Sequence, residues 1–219
     1  MYSAARLASD DSPPLIDPGS TLLAALAAAL AYLAGSVSAA ILVCRAAGLP
    51  DPRTEGSGNP GATNVLRVGG KGPAAATLLG DAAKGLVPVL LAGWLVGGFP
   101  DGDRIVALVA LAAFLGHVYP VFFDFRGGKG VATGLGALLG VDATAGALAI
   151  LVWLAASLAF RRSSLAALVA FALAPVFLLM EDARAGAVAF VAIGAFVAYT
   201  HRGNIARLVA GTEPVIGRR

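Results

Sequence analysis

Five stretches of this chain are apolar for long enough to cross a bilayer, and no other property restricts its fold so tightly. They cover residues 22–44, 73–98, 104–123, 165–180 and 186–200, against a requirement of about 20 residues with a range of roughly 17 to 25. The last two sit at the short end. Inside hydrocarbon every backbone N–H and C=O must find a partner within the protein, which helices of this length achieve by themselves. The expected fold class is therefore an all-α integral membrane protein. Its 58% hydrophobic and 13% charged residues, and a mean hydropathy of +0.81, lie far from soluble averages and agree with that.

Residues 131–160 are also mostly apolar but are interrupted by Gly140, Asp142 and Gly146, so they read as one long helix or two short ones. Charge decides between these. With two crossings there are seven spans, and an external N-terminus leaves only Arg6, Arg104 and Arg184 outside, so that 13 of 16 basic residues are cytoplasmic. With one crossing the split becomes 8 against 8. The positive-inside tendency favours seven spans, some short, with cytoplasmic polar loops. Residues 131–141 are too few for a straight crossing, which predicts a tilted helix or one that follows a loop dipping into the protein. Residues 1–20 carry Asp10, Asp11, Asp17 and three prolines, with no basic stretch directly before an apolar core. They read as a disordered tail rather than a cleaved signal, and residues 21–219 as a single transmembrane domain.

Against this apolar background residues 55–72, EGSGNPGATNVLRVGGKG, are polar and glycine-rich. Gly56, Gly58, Gly61, Gly69 and Gly70 let the backbone take positive φ and approach a ligand, forming an anion-binding concavity of N–H groups. Ser57, Asn59, Thr63 and Asn64 add neutral polar groups, while Arg67 and Lys71 add positive charge. An ordinary turn-rich loop has the same composition. In the seven-span topology this loop shares the cytoplasmic side with residues 124–130 and 201–219. The second contains Gly127, Gly128, Lys129 and Gly130 directly before a helix expected to start near Val131, and such a helix N-terminus favours anions. It is not a nucleotide-binding P-loop, because Gly130 stands where Ser or Thr is required. The third brings His201 and Asn204, three apart and so on one helix face. Asp81 and Lys84, also three apart, form a costly ionisable pair near the start of the second span. His117, near the end of the third span, reads equally well as structural or catalytic.

Several functions are excluded or unsupported. The single Cys44 cannot form an intrachain disulfide, and no paired His and carboxylate cluster suggests a metal. The net charge of +3 comes without a long basic run, so nucleic acid is not an expected partner. Neither His117 nor His201 has an aspartate five residues on, so there is no H-x-x-x-x-D acyltransferase motif, and no nucleophile elbow is present. A site without an evident nucleophile or base works by positioning and charge stabilisation on a substrate that arrives already activated. A transporter for a small phosphorylated solute would use similar loops, but no internal repeat or paired broken helices are visible. A membrane scaffold would leave the clustered glycines and cations unexplained.

Together GSGNPGATNVLR (56–67), DAAKG (81–85), GHVYPVFFDFRGGKGVAT (116–133) and HRGNIARLVAGTE (201–213) resemble the bacterial membrane acylphosphate-dependent glycerol-3-phosphate acyltransferase family, over residues 22 to about 217. The resemblance implies seven transmembrane helices in the bacterial inner membrane, with the N-terminus outside and the active site cytoplasmic. It implies transfer of a fatty acyl group from acyl phosphate to the 1-hydroxyl of glycerol-3-phosphate, without a cofactor or metal. Membrane lipid, and the enzyme that supplies acyl phosphate, are the partners it suggests. By motif position Ser57, Arg67, Lys129, His201 and Asn204 are the expected catalytic residues. Gly56, Gly58, Asn59, Thr63, Asn64, Asp81, Lys84, His117, Gly127, Gly128, Gly130 and Thr133 are the expected substrate-binding residues, and Glu213 matches a glutamate with a structural role.

Overall fold

The structure is a computed structural model that describes residues 18–216, among which every regular element is helical. In chain order these are α1 (Pro18–Ser36), α2 (Ala39–Ala46), α3 (Ala62–Gly69), α4 (Lys71–Val96), α5 (Gly102–Val118), α6 (Val131–Val141), α7 (Ala143–Phe160), α8 (Ser163–Met180), α9 (Arg184–Thr200) and α10 (Arg202–Val209), with a 3-10 turn at Val121–Phe123. The chain is a multi-pass membrane protein. Five of its helical segments, Gly19–Ala46, Lys71–Val96, Gly102–Phe123, Ala143–Phe160 and Ser163–Met180, are long and apolar enough to cross a bilayer. A sixth span is reached if α9 and α10, which meet at a bend of 63°, are taken together. The expectation of a tail at residues 1–20 lies outside the described residues up to 17, and beyond that the helix has already begun.

Two breaks in the apolar runs have local causes. Asp142 leaves helical geometry (φ −151°, ψ 123°), ending α6, and its carboxylate accepts from Ala145 N at 2.7 Å to cap α7. Such a cap contributes about 1 kcal/mol. Residues 131–160 are thus two helices rather than one, and α6 with 11 residues spans about 16 Å, half a bilayer core. Residues 22–44, read from sequence as one span, are interrupted. Ser38 adopts extended geometry (φ −85°, ψ 100°) and its Oγ accepts from Ile41 N at 3.5 Å. The carbonyl freed at Val37 accepts from Lys84 Nζ at 2.7 Å.

Glycines set how closely the helices approach. A Cβ on Gly35 would lie 2.1 Å from Ala113 O, and one on Gly116 2.2 Å from Tyr32 O, so α1 and α5 cross with backbones in contact from both sides. The same reciprocity joins α4 to α6, where a Cβ on Gly85 would lie 2.0 Å from Thr133 O and one on Gly136 2.1 Å from Ala82 O. Lipid gives helices no hydrophobic reason to associate, so close van der Waals approach at small residues carries the attraction. Around these crossings Phe114, Leu138, Phe171, Leu178, Phe190 and Ile193 fill a buried core, whereas Leu22, Leu26 and Leu30 form an exposed stripe on α1 that faces lipid. Tyr32 Oη donates to Tyr119 O at 2.6 Å and fixes the end of α5 against α1.

Gly136→Val forces a branched side chain into the Ala82 backbone and is expected to cost about 3 kcal/mol or more, close to 10 °C in Tm for a chain of this size. Gly72→Ala, in the first turn of α4 with open space around it, is expected to match or slightly exceed the wild type. Thermal unfolding in detergent reads both, and an unchanged Tm for Gly136→Val would show that the crossing is loose.

Candidate active site

The GGKG turn lies flat on the end of α5. Gly127 N donates to Val118 O and Gly128 N to His117 O, both at 3.2 Å. No side chain fits at three of the four positions. A Cβ would lie 2.0 Å from His117 O at Gly127, 2.2 Å from His117 Nε2 at Gly128, and 2.2 Å from the Phe114 ring at Gly130, whose φ of 82° is itself unsuited to other residues. Lys129 is the one member of the turn with room for a side chain, and it precedes the first unpaired N–H groups of α6. The helix therefore starts at Val131, where the sequence placed it.

Residues 55–72 are partly helical, because 62–69 form α3. Asn64 organises the loop before it. Its Oδ1 accepts from Ser57 N at 2.8 Å, and its Nδ2 donates to Pro52 O at 2.8 Å and Glu55 O at 2.9 Å. Gly56 (φ 60°) makes space for that amide, since a Cβ there would lie 2.3 Å from Asn64 Oδ1. Gly58 and Gly70 also take positive φ, whereas Gly61 is extended at the start of α3 and Gly69 is helical. Ser57, Thr63 and Arg67 are exposed. Pro60 O lies 3.1 Å from where a Gly128 Cβ would stand, so this loop touches the GGKG turn.

The third segment holds Lys129. Lys129 Nζ donates to Asn204 Oδ1 at 2.5 Å, and Asn204 Nδ2 donates to Glu213 Oε1 at 2.6 Å. Ser164 Oγ donates to the same Glu213 oxygen at 2.6 Å, and Arg207 Nε to Glu213 Oε2 at 2.8 Å. Thr200 Oγ1 donates to Lys129 O at 3.3 Å. Burial pulls the Lys129 ammonium below its ordinary pKa of 10.5, and Arg207 and Arg67 push the same way against Glu213. For Glu213 burial favours the neutral acid, but the hydrogen bonds from Ser164, Asn204 and Arg207 outweigh it and hold the carboxyl below its ordinary 4.5.

Several expected binding residues lie beneath this surface instead of on it. His117 Nδ1 is 3.1 Å from Thr133 Oγ1 and 3.6 Å from Asp81 Oδ1, and Lys84 Nζ is 3.0 Å from that same oxygen. Where α4, α5 and α6 cross, Asp81, Lys84, His117 and Thr133 face one another, and Asn64 faces its own loop, so none of the five borders the open cleft. His201 and Asn204 do not act as a pair on one helix face. His201 occupies the bend before α10, buried, with Nδ1 2.8 Å from Val197 O, while the amide of Asn204 faces Lys129.

What remains open is a cleft of about 280 Å³ lined by Asn59 from the first loop, Arg126 to Lys129 from the second, Tyr199 and Thr200 from the end of α9 and Arg202 from the third, with Val118, Tyr119 and Phe125 along an apolar side. Arg126 and Arg202 escape a sequence reading because they resemble membrane-interface anchors. Arg202 is fixed over the Tyr199 ring, 4.6 Å from its centroid, and donates to Tyr199 O at 3.1 Å. Among the described residues no group of three or more His, Cys, Asp or Glu is placed to hold a metal ion. The arrangement suits phosphate esters carrying an apolar chain: cations, N–H groups and an aromatic wall meet in one opening.

Residues 25–211 match the family model described as glycerol-3-phosphate acyltransferase. The chain is 56% identical over 199 residues to the glycerol-3-phosphate acyltransferase of Thioalkalivibrio sulfidiphilus, covering 90% of this chain and 96% of that one. It is 55% identical over 190 residues to that of Halorhodospira halophila, covering 86% and 94%. Among solved structures it resembles PlsY, an integral membrane glycerol 3-phosphate acyltransferase. The glycerol 3-phosphate form superposes with a TM-score of 0.82 at 39% identity, covering 89% of this chain and 96% of that one. The lysophosphatidic acid form gives 0.81 at 38% identity, with the same coverage.

A carboxyl held below 4.5 in the folded state contributes stability that is complete above its unfolded pKa and lost as pH falls through the lower, folded value. Unfolding midpoints measured in detergent are therefore expected to fall below pH 4.5 in the wild type, and to fall less steeply in Glu213→Gln. Parallel acid limbs would exclude Glu213 as a source of that dependence.

Proposed function

The chain belongs to the glycerol-3-phosphate acyltransferase family, and from that premise we propose that it transfers a fatty acyl group from acyl phosphate to the 1-hydroxyl of glycerol-3-phosphate, forming lysophosphatidic acid and inorganic phosphate. The observation that carries this reading is the meeting of three separate loops around Lys129 in a cleft with cationic and apolar sides. The two PlsY forms, with glycerol 3-phosphate and with lysophosphatidic acid, bracket the same reaction and support it. In the bacterial inner membrane, with the seven-span orientation read from charge, the cleft opens to the cytoplasm, where the enzyme that makes acyl phosphate would supply the donor. The reaction is then the first step of phospholipid synthesis.

The hydroxyl oxygen attacks the acyl carbonyl carbon, the bond from that carbon to the phosphate oxygen breaks, and the departing phosphate, or the acceptor's own, takes the hydroxyl proton. No side-chain base is required, because a phosphate dianion accepts a proton readily near neutral pH. Lys129 and Arg67, with the N-terminus of α6, neutralise phosphate charge, which grows on the leaving group as the bond breaks. Ser57 and Asn59 orient the reacting groups, Asn204 aims Lys129, and His201 fixes the bend that presents Asn204. The acyl chain runs along Val118, Tyr119 and Phe125 toward lipid.

Purified protein in detergent, given acyl phosphate and glycerol-3-phosphate, is expected to release phosphate in step with lysophosphatidic acid. Lys129→Ala and Arg67→Ala are expected to lower turnover about 100-fold or more at unchanged fold. Phosphate-dependent binding without product would favour a transporter, and near-normal turnover in either variant would remove that residue from the chemistry.

A further inference from the structure

The side chains that aim Lys129 reach beyond every motif in the sequence. Ser164 lies in the first turn of α8, and its buried Oγ donates to Glu213 Oε1, the oxygen that also takes Asn204 Nδ2. The segment carrying Glu213 is fastened to the same turn, because Ile216 N donates to Arg161 O at 2.7 Å and Arg161 Nη2 to Ile216 O at 3.2 Å. The other two donors to Glu213, Asn204 and Arg207, both belong to α10, so by themselves they let the carboxylate turn with that helix. Ser164 is the donor from a different helix. The Arg161 to Ile216 bonds hold the backbone of that segment, and Ser164 holds the carboxylate itself to the bundle.

An amide has an oxygen at one corner and an NH₂ at the other, and the two are interchangeable in shape. With Nδ2 anchored on Glu213, Asn204 presents Oδ1 to the Lys129 ammonium. If that anchor swings away, the amide can rotate and present NH₂ to a cation, which repels it. We propose that Ser164 is a positioning residue for acyl transfer: it holds Glu213, Glu213 holds the Asn204 amide in the one orientation whose carbonyl faces Lys129, and the ammonium is aimed into the cleft. The inference rests on the reading of Lys129 as a cation that faces the substrate phosphates.

The test reads Lys129 directly. Its pKa in detergent-solubilised protein is measured from the pH dependence of its reaction with an amine-labelling reagent, followed by peptide mass spectrometry. The charged groups around it are Glu213, Arg207 and Arg67, with the titratable but neutral His201 beside them and Arg126 and Arg202 on the rim of the cleft; all are retained in the Ser164 variants. Losing the hydrogen bond it donates to Asn204 disfavours the ammonium, so Ser164→Ala is expected to lower that pKa by about one unit and kcat/KM about tenfold. Ser164→Thr, which keeps the hydroxyl, is expected to restore both. An unchanged Lys129 pKa in folded Ser164→Ala overturns the proposal. If that variant fails to fold, Ser164→Cys, with its weaker donor, takes its place and the same two results decide. A wild type that forms no product overturns the functional reading instead, while the labelling shift still decides the positioning.

Discussion

The ammonium of Lys129 is half-buried at the edge of a membrane protein, and it stays there because Asn204 Oδ1 receives it and Glu213 fixes Asn204. A charge in that position is costly unless paired and hydrogen-bonded. The partners come from opposite parts of the chain, 75 residues apart for Lys129 and Asn204, so the pairing exists only once the bundle has closed. The GGKG turn then needs no further anchor for its one side chain. The glycines around it keep the backbone close, and Lys129 alone carries a side chain from the turn to Asn204.

Glycine acts at two scales in achieving this. At Gly35 with Gly116, and at Gly85 with Gly136, absent side chains bring helix backbones into contact and fix α5 and α6 relative to α1 and α4. At Gly127, Gly128 and Gly130 the same absence lets the turn lie against His117 and Phe114 at the end of α5. The α4 and α6 crossing also buries the group of Asp81, Lys84, His117 and Thr133 directly under the turn. A charged cluster inside a membrane protein is tolerated when its charges are paired, as Asp81 and Lys84 are here at 3.0 Å, and the group ties three helices together beneath the site.

Much of the fold was legible because hydrocarbon imposes a simple length rule on helices. Residues 131–160 show it: Asp142, an unremarkable acidic residue in composition, ends one helix and caps the next. The break at Ser38 was hidden inside continuous apolar sequence, because its compensation, Lys84 reaching Val37 O, comes from another helix. The motif residues Ser57, Arg67, Lys129 and Asn204 could be named from resemblance and residue type. The roles of Asn64 and Thr133 could not, since their partners Pro52 O, Glu55 O and His117 are set by folding. Ser164 gave no signal at all, being one of two adjacent serines at a helix start, and Arg126 and Arg202 were masked by the general excess of arginine at membrane interfaces.

If the cleft works through Lys129 as aimed by Asn204, the two side chains act as one unit, and substitutions in a unit are strongly non-additive. A double-mutant cycle on kcat/KM for acyl transfer, with Lys129→Ala, Asn204→Ala and the double variant, measures this directly. Removing Asn204 from a protein that already lacks Lys129 should cost far less than removing it from the wild type. Losses that simply multiply would contradict a shared role and separate the two residues.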